Sequence, residues 1–121
     1  MPASDFLNIN LAALCGDLAG EINKTYRHLP WAIKHEAVSR LKRQAHELSQ
    51  AVEKAQDSKN LLRTEKLLQD SISLVHECVP LIDLCLRKNL LSPELQVRWA
   101  KSLNEINKQL IVWQKACGPK K

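Results

Sequence analysis

The chain has 121 residues, 45% of them hydrophobic, a formal net charge of +5 and a pI near 9.2. That is enough for one domain with a single core, while 4% aromatics and three glycines disfavour an all-β protein. The basic balance suits an anionic partner, either nucleic acid or an acidic protein face. The opening MPASDFLNIN has no basic segment leading into an apolar run, so it does not read as a signal peptide. No stretch has the charge-free length of a membrane span, and the expectation is a cytoplasmic protein without membrane attachment.

A first helix is predicted over about residues 5–28, capped by Ser4 or Asp5. Phe6, Ile9, Ala13, Leu14, Leu18, Ile22 and Tyr26 give it an apolar face, with Leu7 and Leu11 on the flank. Gly16 and Gly20 lie inside it, each costing about 1 kcal/mol relative to Ala. They stand either for close helix approach or for mere tolerance. Pro30 disfavours helical geometry at Leu29 and ends the helix near His28.

The second helix is predicted over 31–56. Val38, Leu41, Ala45, Leu48, Val52 and Ala55 alternate by three and four, a heptad seam. Its first half holds the densest basic cluster of the chain, Lys34, His35, Arg40, Lys42, Arg43 and His46. That cluster is either a solvated face, with Glu36, Glu47 and Glu53 near for ion pairs, or a contact for phosphate or an acidic protein. Trp31 opens this helix as a hydrophobic staple or as an exposed anchor.

A polar break at Asp57–Asn60 precedes a third helix over 59–88, capped by Ser58 or Asn60. One apolar stripe runs Leu61, Leu68, Ile72, Val75, Val79, Ile82, Leu86; a second runs Leu67, Leu74, Cys78, Leu81, Cys85. Apolar around most of its girth, this helix is either central to the monomer or buried at a subunit interface. Pro80 is expected to kink it without breaking it.

The fourth helix, 93–117, has the clearest boundaries. Ser92 is the cap, Pro93 takes the first position, Glu94 complements the macrodipole, and Gly118-Pro119 stops it. Leu95, Trp99, Leu103, Ile106, Leu110, Trp113 and Cys117 form one stripe. Short connections make consecutive helices antiparallel, so the fold expected for residues 1–121 is a single-domain, all-α, up-down-up-down four-helix bundle.

No catalytic constellation is visible, so the chain reads as a non-enzyme with no cofactor and no metal. Ser/His/Asp and Cys/His groupings lack a strand-turn-helix setting, Glu-x-x-His is absent, and so is a phosphate-cradling glycine loop. Cys15, Cys78, Cys85 and Cys117 fall among apolar residues without zinc-like spacing, and read as buried thiols.

Leu29-Pro30 with the basic helix after it, Leu67 to Leu86, Asn89-Leu-Leu-Ser-Pro-Glu94, and Leu103-Asn-Glu-Ile106 through Leu110 to Trp113 together resemble one family. It is the four-helix-bundle family that includes the accessory variability determinant of diversity-generating retroelements and the rRNA intervening-sequence proteins. Trp113 favours the retroelement branch, which has glycines where this chain has Asn107 to Val112. The resemblance implies a homopentameric barrel that binds RNA or DNA and a reverse transcriptase, assisting cDNA synthesis without catalysing it. On that reading Lys34, Arg40, Lys42 and Arg43 carry nucleic-acid binding, with Arg87, Lys88, Arg98 and Lys101 in support. The alternatives are an oligomeric protein-interaction scaffold whose basic face docks an acidic partner, and a small enzyme or phosphotransfer bundle using His35 or His46.

Overall fold

The computed structural model describes residues 2–30 and 36–117, with side chains described from Leu11 onward. The expectations for Trp31, Lys34, His35, Phe6, Leu7, Ile9 and the stop at Gly118-Pro119 fall outside those residues and side chains. The described residues form four α-helices: α1 Pro2–His28, α2 Glu36–Asp57, α3 Leu61–Arg87 and α4 Pro93–Cys117. α1 starts before Ser4 and Asp5, which therefore lie inside it rather than cap it, since a proline fits a first turn whose N–H has no partner.

The helix ends follow local chemistry. Asn60 caps α3, its Oδ1 accepting from the Arg63 N–H at 3.1 Å. Ser92 caps α4, its Oγ accepting from the Leu95 N–H at 3.2 Å. α3 closes in a Schellman motif: Asn89 takes the left-handed conformation (φ 61°), its N–H donates to Leu86 O, and the Leu90 N–H donates to Cys85 O. α3 continues unbroken through Pro80, whose ring is exposed.

Each helix packs on its sequence neighbours, and α4 closes the ring on α1, with no diagonal pair in contact among the described residues. Gln44 meeting Glu77 and Glu21 meeting Arg98 match the start of one helix with the end of the next, so neighbours run antiparallel. The core is built in heptad register. α2 buries the expected Val38, Leu41, Ala45, Leu48, Val52 and Ala55, together with Ala37. α4 buries Trp99, Leu103, Ile106, Leu110 and Trp113, with Leu95 and Cys117 half-buried.

The other two helices depart from the expected stripes. α1 buries Leu11, Cys15, Leu18 and Ile22, whereas Ala13 is exposed and Leu14 half-buried. α3 buries one composite seam, Thr64, Leu68, Ser71, Val75, Cys78, Ile82 and Cys85, with Leu81 beside it. Leu61 and Val79, assigned to the first stripe, are 56% and 50% exposed. The two buried hydroxyls turn back on their own helix: Ser71 Oγ donates to Leu67 O at 2.8 Å and Thr64 Oγ1 to Asn60 O at 3.1 Å.

Gly16 and Gly20 serve no close helix approach, because a Cβ at either meets nothing within 4 Å. None of the four cysteines forms a disulfide, and Cys15, Cys78 and Cys85 are buried. Burial pushes the Cys15 and Cys78 thiols up to about 12, which suits packing rather than nucleophilic attack.

Candidate nucleic-acid interface

The antiparallel ring gathers charge at one end. That end comprises α1 from Leu18, α2 up to His46, α3 from His76 and α4 up to Asn104. It carries Lys24, Arg27, Arg40, Lys42, Arg43, Arg87, Lys88, Arg98 and Lys101 against Glu21, Glu36, Glu77, Asp83 and Glu94. The opposite end carries Lys54, Lys59, Arg63, Lys66, Lys108 and Lys115 against Asp17, Glu47, Glu53, Asp57, Glu65, Asp70 and Glu105. Nine cations against five anions at one end, and six against seven at the other, place the described excess of positive charge at the end where α1 and α3 finish and α2 and α4 begin.

Seven of the eight cations singled out in the sequence lie at this end; Lys34 falls outside the described residues. They do not form one cluster. Lys42 is half-buried, its Nζ 5.0 Å from the centre of the Tyr26 ring, a cation–π contact that holds the ammonium over α1. Arg43 is exposed beside it. Arg40 lies two residues from Lys42, about 200° around the helix, and does not share its flank. Arg87 pairs with Asp83 at 3.5 Å, both well exposed, and Lys88 follows at the α3 cap. Lys101 is exposed on α4 beside Pro93 and Val97.

Arg98 is committed elsewhere. Its Nη2 lies 3.0 Å from Glu21 Oε1, and the same oxygen accepts from the buried Trp99 Nε1 at 2.9 Å. The indole hydrogen bond is the main reason the Glu21 carboxyl sits below the ordinary glutamate range, with Arg98 adding to it against the opposing cost of burial. Glu21 thus clamps α1 to α4 and satisfies the one polar atom of a core tryptophan.

Two grooves flank α2. The one shared with α1, about 580 Å³, is lined by Ala19, Gly20, Asn23, Ser39, Lys42, Arg43 and His46, with no carboxylate. The one shared with α3, about 420 Å³, is lined by Glu47, Gln50, Ala51, Lys54, Leu67, Asp70, Ser73, Leu74 and Glu77. Asn23, Ser39 and Gly20 were not legible as site residues, since neutral side chains carry no charge signal and their convergence depends on the packing of α1 on α2. Among the described residues no three His, Cys, Asp or Glu side chains are grouped to hold a metal ion, and no helix is long and apolar enough to cross a membrane.

The molecule is a four-helix bundle with one cationic end. No family model matches the chain, and no curated protein sequence matches it. It is similar in structure to a crystallised protein of unknown function from the S23 ribosomal protein family of Bacteroides thetaiotaomicron. The TM-score is 0.83 and the identity 17%, with 90% of this chain and 98% of that chain covered. At that identity the likeness establishes the fold alone.

Proposed function

We propose that this protein is a non-catalytic nucleic-acid-binding bundle that works in the cytoplasm beside a reverse transcriptase, supporting cDNA synthesis in a diversity-generating retroelement. The observation that carries the binding is the cationic end, where lysines and arginines from all four helices outnumber the acids. Phosphates neutralised there release condensed counterions, so the charge converts into affinity for any nucleic-acid chain. The reverse-transcriptase partner and the homopentamer rest on the sequence resemblance. Five copies would carry about +25, a field that steers a polyanion from beyond contact distance.

Fluorescence anisotropy with labelled RNA and DNA over a salt series tests the binding. Affinity should fall steeply with salt, and reversing charge at Arg40, Lys42 and Arg43 together should flatten that dependence. Unchanged binding by the triple variant would remove these residues from the interface. Light scattering tests the assembly, a strict monomer being the outcome against it.

A second reading, an oligomeric protein-interaction scaffold, is favoured by the exposed apolar side chains Leu61, Leu62, Val79, Ile111 and Val112 on α3 and α4. Oligomerisation without any nucleic-acid affinity would select it.

A further inference from the structure

The α1/α2 groove has a chemistry that general positive charge does not explain. Its walls offer the Asn23 amide and the Ser39 hydroxyl, two neutral donors, between the Lys42 ammonium and the Arg43 guanidinium, and no carboxylate competes for them. Lys42 is already held on the Tyr26 ring, so less side-chain freedom is lost when it meets an anion. No large apolar side chain lines the groove, so it lacks the anchor pocket around which protein–protein contacts concentrate their energy. Gly20 sits in mid-helix, where glycine is less favourable than alanine, with no packing contact that requires it. What it does is keep the groove wall low.

We propose that this groove binds a single strand of nucleic acid by its phosphodiester backbone. Asn23 and Ser39 donate to phosphate oxygens, flanked by Lys42 and Arg43, and Gly20 leaves room for the strand. The proposal rests on the nucleic-acid reading above and names its ligand. The groove holds about 580 Å³, room for one sugar-phosphate backbone, whereas a duplex is too wide to enter it and reaches only the rim cations.

The test uses the full chain, short fluorescein-labelled single strands and the matching duplexes, read by anisotropy. Gly20→Leu fills the groove without changing charge, and Asn23→Ala with Ser39→Ala removes the neutral donors. Gly20→Leu should weaken single-strand binding about tenfold and duplex binding by no more than about twofold. The double variant should weaken single-strand binding by roughly threefold to tenfold. Circular dichroism should show undiminished helix in both, since the glycine Cβ site opens on free space. If both variants bind single strands as the wild type does while Arg43→Glu weakens binding to both forms, the groove is not the site and the nucleic-acid reading survives. If Gly20→Leu weakens duplex binding equally, the single-strand assignment is overturned. Displacement of the strand by poly-glutamate, with the same sensitivity to Gly20→Leu, would replace nucleic acid by an acidic peptide. A wild-type chain that binds neither form defeats the proposed function itself.

Discussion

One helix, α2, makes two unlike grooves. Its flank toward α1 holds Ser39, Lys42, Arg43 and His46 and meets only neutral residues across the groove; its flank toward α3 holds Glu47, Gln50 and Lys54 and meets Asp70 and Glu77. The difference arises entirely outside the buried seam. Val38 to Ala55 fix where α2 sits, and the positions on either side of that seam are free to set the sign of each groove. In the α3 groove the acids find partners: Gln44 Nε2 donates to Glu77 Oε1 at 2.7 Å, and Lys66 pairs with Asp70 at 3.0 Å. Both contacts are exposed and contribute little to stability. The α1 groove instead leaves Arg43 facing solvent with no carboxylate in its lining.

Giving the α1 groove the sign of its counterpart should break the contrast most severely. Lys42→Glu with Arg43→Glu should weaken nucleic-acid binding roughly 30- to 100-fold at low salt and lower the salt slope by about 2, while Lys54→Glu on the other flank changes affinity by no more than about twofold. Anisotropy over a salt series measures both. A smaller effect is expected at the clamp that closes the cationic end. Glu21→Ala leaves the Trp99 indole N–H without its acceptor and should lower stability by about 1–2 kcal/mol in urea unfolding.

Because the folded Glu21 carboxyl lies below the ordinary value of 4.5, its contribution is present above that pH and is lost as pH falls through the depressed value. Wild type and Glu21→Ala should therefore converge in stability in acid, and a gap that persists there would assign the effect to packing. Smaller still, Gly20→Ala should stabilise the bundle by about 0.5–1 kcal/mol with single-strand binding retained, since one methyl does not fill the groove. Gly16→Ala should match it in thermal unfolding. Smallest is the reverse graft: Glu47→Gln with Asp70→Asn should raise affinity only about twofold to threefold, because removing acids does not supply phosphate donors.

The four helices, their order and the seams of α2 and α4 were legible because apolar residues there follow one heptad without interruption. α3 was misread because composition and burial part company: Leu61 and Val79 are apolar yet exposed, while Thr64 and Ser71 are polar yet buried. Extending the alternation Cys85, Ile82, Cys78, Val75 backward by four and three lands on Ser71, Leu68 and Thr64, a reading available only if a hydroxyl is allowed to satisfy itself on its own helix. In α1, Cys15 rather than Leu14 completes the seam, since a small thiol packs as a hydrophobe. The gathering of cations followed from antiparallel topology. The commitment of Arg98 to Glu21, 77 residues away, did not, because nothing local to either residue announces the other.

The two buried hydroxyls have a consequence for how the molecule breathes. Thr64 and Ser71 occupy the half of the α3 seam away from the cationic end, where Leu61 and Leu62 also stand in water. The same helix fills its seam with Val75, Cys78, Ile82 and Cys85 toward the cationic end. Less apolar surface is lost when the first turns of α3 open than when its last turns do. Amide protons after residue 64 should thus exchange with solvent well before those of residues 78–85. Opening that starts there leaves the lysines and arginines at the far end in place, so the bundle can loosen locally without dispersing its charge.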